Sequence, residues 1–297
     1  MKMDCASRLT GFAAEFETAF EAALHEKMEN APPRLGEAVR HAALAGGKRI
    51  RPFLVHECAS LFTSAGQDTR SAAFAIECVH CYSLVHDDLP AMDDDAMRRG
   101  KPTVHIAFDE ATAILAGDCL LTLAFEYLSS CRDTGPLSAI LARASGGAGM
   151  VGGQLLDLAA EGRFGGGEAG DTATVIRRIQ SMKTGALITA ACEMGAITAG
   201  ASDGQRRALG EYGSHIGLAF QIADDLLDAE GDAAKLGKAV GKDAHAGKAT
   251  FVGMLGVEGA RKRLGETVES ARGVLGGLPG NTAMLSDLAG YIATRDR

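Results

Sequence analysis

Apolar residues recur at helical spacing along almost the whole chain. Phe12, Phe16, Ala19, Phe20, Ala23 and Leu24 form one such stripe, and Leu209, Tyr212, Ile216, Ala219, Phe220, Ala223 and Leu227 form another. No run alternates β-branched and polar residues as a half-buried strand would. The pattern predicts an all-α protein with helices over 6–29, 34–45, 51–64, 70–88, 105–116, 118–131, 136–149, 151–161, 172–200, 204–230, 249–276 and 281–295. Breaks fall on turn chemistry at Pro32-Pro33, Gly46-Gly47, Leu89-Pro90 and Gly135-Pro136. The glycine-rich stretch 162–170 reads as a surface loop, and 231–248 is polar and rich in Gly and Lys. No break has the look of an interdomain linker, so one large helical domain over 1–297 is expected. The chain holds 38 Gly. Each costs about 1 kcal/mol relative to Ala inside a helix, so some are expected to serve close packing.

Composition narrows the function classes. With 30 Lys+Arg against 38 Asp+Glu the 297-residue chain carries −8, and its pI is about 5.5. That balance argues against general nucleic-acid binding, which wants a basic face. Trp is absent and aromatics make up 5%, which also disfavours base-stacking platforms. Seven Cys is an odd number. Asp4, Glu15, Glu17 and Glu21 stand where a secretory leader needs an uncharged core. A reduced, cytoplasmic chain is expected. No uncharged apolar run reaches the roughly 20 residues of a membrane span; the best stretch, 186–201, is broken by Glu193.

Three short motifs mislead. Gly147-Ala-Gly149-Met-Val-Gly152 matches a dinucleotide fingerprint but follows a helical pattern instead of the required strand, so tight helix packing explains it better. Cys78-Val-His-Cys81 has no second pair for a structural zinc and reads as two buried helical thiols. Glu77-Cys-Val-His80 is half of a di-iron site without the other half. His80 therefore still needs a role or a satisfied core position.

The chemistry lies elsewhere. In His86-Asp87-Asp88-Leu-Pro-Ala-Met-Asp93-Asp94-Asp95-Ala-Met-Arg98-Arg99, five Asp fall within nine residues, directly after an apolar helix. Crowded carboxylates raise one another's pKa, and a divalent cation reverses that. Hard oxygen ligands suit Mg²⁺, which also keeps waters and phosphate oxygens in its shell. A second cluster, Phe220-Gln221-Ile-Ala-Asp224-Asp225-Leu-Leu-Asp228, puts Asp224 and Asp228 on one helix face with Gln221 a turn earlier. Basic groups accompany them: Gly47-Lys48-Arg49-Ile-Arg51-Pro52, Arg98-Arg99, Lys183, and Lys238, Lys242 and Lys248. Arg grips phosphate bidentately and Lys acts as a point charge, so a phosphate ligand bridged by metal is expected.

Taken together, these motifs resemble the trans-isoprenyl diphosphate synthases, most closely the bacterial farnesyl diphosphate synthases. The matching elements are Asp87-Asp88-x-x-x-x-Asp93 with Arg98-Arg99, Phe220-Gln221-x-x-Asp224-Asp225-x-x-Asp228, Gly47-Lys48-Arg49-x-Arg51-Pro52, Lys183-Thr184 and Gly237-Lys238-x-x-Gly241-Lys242-Asp243. The resemblance implies antiparallel helices round a deep central cavity, usually in a homodimer, with the two Asp motifs facing each other across its mouth. It implies Mg²⁺ ligation by Asp87, Asp93 and Asp224, supported by Asp88 and Asp228, with three ions when substrate is bound and Mn²⁺ as a substitute. Asp94 and Asp95 fall outside that set as solvated or supporting groups. Arg98, Lys183, Lys238 and, more weakly, Lys248 match the family's grips on an allylic diphosphate. Gly47, Lys48, Arg51, His80 and Arg99 match its isopentenyl diphosphate site, which gives His80 a task. Thr184, Gln221 and the backbone near Lys183 match the groups that stabilise the allylic cation. Ser83 lies one helical turn beneath Asp87, and Tyr82 stands where the family places an aromatic residue that stops growth at fifteen carbons. Thr250-Phe251-Val252 replaces the common Thr-Tyr-Pro, so the next helix start is expected to shift slightly. The residues 287–297 look like the family's C-terminal end. The expected reaction joins isopentenyl diphosphate head-to-tail to dimethylallyl or geranyl diphosphate, giving mainly farnesyl diphosphate. The alternatives are a geranylgeranyl diphosphate synthase, a terpene cyclase, or a non-catalytic partner subunit of the same fold.

Overall fold

The computed structural model describes residues 4–164, 172–236 and 250–294. It is all-α apart from one two-residue hairpin. The helices are α1 (Cys5–Lys27), α2 (Pro33–Ala43), α3 (Ile50–Ser60), α4 (Gln67–Asp87), α5 (Val104–Ala107), α6 (Glu110–Ser129), α7 (Thr134–Ser145), α8 (Met150–Ala160), α9 (Thr172–Gln180), α10 (Ala186–Thr198), α11 (Asp203–Leu236), α12 (Phe251–Leu275) and α13 (Ala283–Thr294). A single π-helical turn, Ser181–Gly185, joins α9 to α10.

Local chemistry starts these helices where it should. Asp4 caps α1 by accepting from the Ser7 amide at 2.7 Å, and Asp109 caps α6 by accepting from Thr112 at the same distance. Pro33 opens α2, where its missing N–H costs nothing. Thr250 caps α12 through Gly253 at 3.0 Å, so the helix begins at Phe251 despite the missing proline.

Three expectations need correction. First, no break occurs at Gly117: α5 is one turn, and α6 runs through 110–129 without interruption. A Cβ on Gly117 would lie 2.5 Å from Cδ2 of His86, so this glycine admits a neighbouring ring and ends nothing. Second, the helix expected over 172–200 is interrupted by the π turn. Third, β1 (Met97–Arg98) pairs with β2 (Lys101–Pro102), turning on Arg99 (φ 52°) and Gly100 (φ 77°). Two successive left-handed residues make the tight turn that matches strand twist, but Arg in the first place hides it from sequence reading. α6 is long and apolar enough by composition to cross a membrane, but half of that window is buried and the charged Asp118 and Glu126 interrupt it.

The chain forms two compact units. One comprises Met1–Leu141 with Met194–Ala201; the other comprises Ala142–Glu193 with Ser202–Arg297. The core of the first is aromatic. Phe20 and Phe74 stack with centroids 5.3 Å apart, Phe16 lies 5.4 and 5.5 Å from them, and Phe74 meets Tyr127 at 5.4 Å. Such pairs contribute about 0.5–1.5 kcal/mol each beyond area burial, and they tie α1 to α4 and α6. The second unit relies on glycine. A Cβ on Gly213 or Gly217 of α11 would meet the Thr189 Cα at 2.8 Å or the Gly185 Cα at 2.9 Å. Backbone therefore lies nearly on backbone, as the glycine count anticipated.

Candidate active site

In the first unit, α4 presents the site. His80 and Asp87 are seven residues apart, two turns along one helical face. At the end of α4 the Asp93 amide returns to the Asp87 carbonyl at 2.8 Å and the Asp94 amide to Leu89 at 3.1 Å. The four-residue spacer thus closes a turn that brings Asp93 back beside the helix end. Asp87 and Asp88 are buried, and Asp93, Asp94 and Asp95 are exposed. Arg98 Nε donates to Asp88 at 2.7 Å, and its Nη2 reaches Asp95 at 3.5 Å. Burial nonetheless pushes the Asp88 carboxyl above its usual range, with Arg98 pulling the other way.

Beside this turn lies a cationic cluster. Gly46 (φ 80°), Gly47 (φ 127°) and Arg49 (φ 48°) make a left-handed loop before α3. A Cβ on Gly47 would stand 2.7 Å from the Arg99 Cζ, and Arg99 donates to the Gly46 carbonyl. Arg51 and His80 are part-buried, and Lys48 is part-buried within the loop. Burial, then Arg51, Arg99, Arg49 and Arg98 in that order, hold the His80 imidazole well below its ordinary pKa. The Nε of Arg51 is buried and finds no hydrogen-bond partner among the described residues. Glu77, one turn before His80, is committed to Arg49 at 2.6 Å, and Cys78 and Cys81 are buried helical thiols.

Tyr82 and Ser83 are both buried. Ser83 Oγ donates back to the His80 carbonyl at 2.8 Å. The Tyr82 ring meets the His86 ring edge-on at 5.8 Å, and burial raises its phenol to about 12. His86 Nε2 in turn lies 3.1 Å from the Ile114 carbonyl of α6.

In the second unit, Lys183 and Thr184 sit in the π turn, both part-buried. Lys183 donates to Asp157 of α8 at 2.7 Å. The approach is set by Gly153, where a Cβ would lie 2.7 Å from the Lys183 Cα. Gly152, the last glycine of the false dinucleotide motif, likewise faces Met182. On α11, Gln221 and Asp224 are part-buried and Asp228 is exposed. Asp225 accepts from the Phe251 amide at 2.6 Å and from Gln180 at 3.4 Å, which anchors the start of α12. Lys238 and Lys248 lie outside the described residues, as do Gly237, Gly241, Lys242 and Asp243. Sequence reasoning missed Asp157, Asp225 as an anchor, Glu77 as a partner of Arg49, and His86. Only Asp225 carried a signal, its place in the second acidic cluster.

A helical fold bearing two Asp-rich segments and a cationic loop defines an enzyme class that handles prenyl diphosphates, the isoprenoid synthase type. The family model described as polyprenyl synthetase matches residues 32–273, and the chain belongs to that family. It is 48% identical over 274 residues to the farnesyl diphosphate synthase of Escherichia coli strain K12, covering 88% of this chain and 89% of that one. It is 42% identical to the chloroplastic geranylgeranyl pyrophosphate synthase 9 of Arabidopsis thaliana, covering 89% and 75%. An FPP/GFPP synthase structure from Zymomonas mobilis superposes with a TM-score of 0.84 at 41% identity, covering 97% and 100%.

Proposed function

We propose that the protein condenses isopentenyl diphosphate with dimethylallyl and then geranyl diphosphate, yielding mainly farnesyl diphosphate. One observation carries this reading. α4 bears both the acidic turn at Asp87, Asp88 and Asp93 and, two turns back, His80 within a cluster of arginines beside the Gly46–Arg49 loop. One helix thus presents a cation-binding and an anion-binding patch, as joining two diphosphate esters requires.

No three carboxylate, imidazole or thiolate side chains converge closely enough to hold a metal among the described residues. The donors still fit Mg²⁺. That ion takes one or two carboxylates and completes its shell with water and substrate phosphate, without a closed protein cage. Asp88, raised by burial in the free protein, gains from a nearby cation. Asp87, Asp88 and Asp93, with Asp224 and Asp228, would hold the ions. When bound, they supply charge neutralisation for the departing diphosphate, and Mn²⁺ can take the same oxygen donors.

The chain's own residues do the rest. Arg98 and Lys183, with Lys238 and Lys248, grip the allylic diphosphate as its charge develops. Gly47, Lys48, Arg51, His80 and Arg99 hold isopentenyl diphosphate in reach of the allylic carbon. A π turn leaves a carbonyl out of the regular ladder, so the backbone at Lys183, with Thr184 and Gln221, offers oxygens to the allylic cation. Apolar walls keep water from quenching it. Tyr82, beneath the diphosphate site on α4 with Ser83, limits the product to fifteen carbons. The geranylgeranyl reading is favoured by relatives of that name, and Tyr82 opposes it. We further propose a cytoplasmic homodimer, supported by the exposed apolar side chains of Ile106, Ile114 and Leu115 on α5 and α6.

The test is an incubation of purified protein with dimethylallyl and isopentenyl diphosphates, with Mg²⁺ or with chelator, and product length read by mass. Asp87→Ala and Asp224→Ala should each slow condensation at least a hundredfold while keeping the helical circular dichroism signal. Turnover that survives chelation, or full activity in either variant, would refute the reading.

A further inference from the structure

Within the Gly47–Pro52 motif the Arg49 side chain is turned wholly inward. Its side chain has no exposed surface, and Glu77, its partner at 2.6 Å, is 2% exposed. The other arm of the guanidinium donates to the Ala43 carbonyl at the end of α2 at 2.8 Å, and lies 3.5 Å from Glu17 of α1. One side chain thus links α1, α2 and α4 to the loop that precedes α3. Its backbone sits at φ 48°, a left-handed conformation that costs a non-glycine residue of order 1 kcal/mol or more. Such a conformation persists only where the surroundings hold it.

A buried ion pair is weak support for stability, because desolvating two charges cancels much of their attraction. Burial pulls the Arg49 guanidinium down most strongly of any single influence, yet Glu77, Cys81 and Glu17 together outweigh it and the net shift is upward. Arg49 therefore stays charged in the interior, at one flank of the residues that would hold a diphosphate. Lys48 precedes it, Arg51 follows two residues later, and His80 is three residues, about one turn, from Glu77 on α4. From the solvent side Arg99 closes on Gly46 and Gly47. The loop is clamped between two arginines, one inside and one outside, and only the outer one can face a ligand.

We propose that the buried Arg49–Glu77 pair is a positioning device that fixes the Gly46–Arg49 loop against α4, so that Lys48, Arg51 and His80 meet the isopentenyl diphosphate together. This rests on the isopentenyl diphosphate site proposed for the same loop. The pair touches no substrate; it sets where the groups that do so stand.

The experiment measures isopentenyl diphosphate binding by calorimetry, together with KM for both substrates, in the full chain. Arg49→Met/Glu77→Met removes both charges and keeps an apolar core, a replacement that often leaves buried pairs' folds intact. It should bind isopentenyl diphosphate at least tenfold more weakly, with KM for the allylic substrate within twofold of wild type. Arg49→Lys should do the same, and Glu17→Gln, which removes only the half-exposed contact, should weaken binding about twofold. An unchanged isopentenyl diphosphate affinity in any folded Arg49 variant overturns the proposal, as does an equal rise in both KM values. If the larger changes abolish folding, unaltered affinity in Glu17→Gln overturns it. Wild-type protein that fails to bind isopentenyl diphosphate would instead sink the site assignment itself.

Discussion

Replacing Gly153 by Ala adds one methyl group at a point where none fits. That carbon would lie 2.7 Å from the Lys183 Cα and 2.8 Å from the Met182 carbonyl carbon. Comfortable carbon–carbon separation is about 3.5–4.0 Å, so α8 and the π turn must part by about 1 Å. The obstacle is backbone on both sides, so no rotamer change relieves it. Overpacking of this kind costs about 1–3 kcal/mol, and a displacement of about 1 Å at groups that position substrate can cost about a hundredfold in rate. Gly153→Ala should therefore lower kcat about a hundredfold in a steady-state assay of condensation, along with a fall in Tm by circular dichroism. Gly265→Ala is the control, because a Cβ there meets nothing within 4 Å; it should keep full activity and gain a few tenths of a kcal/mol or more. If Gly153→Ala retained wild-type kcat, the placement of Lys183 by this backbone contact would be refuted.

Three further outcomes are expected. Tyr82→Ala should release products longer than farnesyl diphosphate, and chromatography showing unchanged length would remove Tyr82 from that role. Gly117→Ala should push the His86 ring off α6 and destabilise the protein by about 1–3 kcal/mol, measured by denaturant midpoint at constant m. His80 is held below its ordinary pKa of 6.5, so the unfolded chain binds the proton first. Its contribution to stability is complete above the unfolded value and is lost as pH falls from there through the folded value. The Tm of the free protein should drop across that window, and His80→Gln should flatten the slope.

The all-α fold was legible because apolar spacing directly reports which helical faces are buried, and α1 and α11 follow it closely, while α4 is buried on almost every side. The two acidic clusters were legible because their spacing has a geometric reason, seen in the turn that returns Asp93 to Asp87. What escaped were features decided by partners distant in sequence. Gly117 looks like a helix end until the His86 ring, 31 residues earlier, is seen against it. Glu77 looked like half of a metal motif, because nothing local signals that Arg49 has turned inward to meet it. The π turn left no trace, since its residues Ser181–Gly185 are as compatible with an ordinary helix as with the wider one.

That wider turn has a genetic corollary. The segment Thr172–Thr198 accommodates one surplus residue relative to a regular spiral. A one-codon deletion within it would restore an unbroken ladder with both flanking stretches in register and cost the polypeptide little, yet would remove the widened turn that carries Lys183 and Thr184. Thermodynamics offers that surplus residue no protection, so only selection on turnover keeps it in the gene.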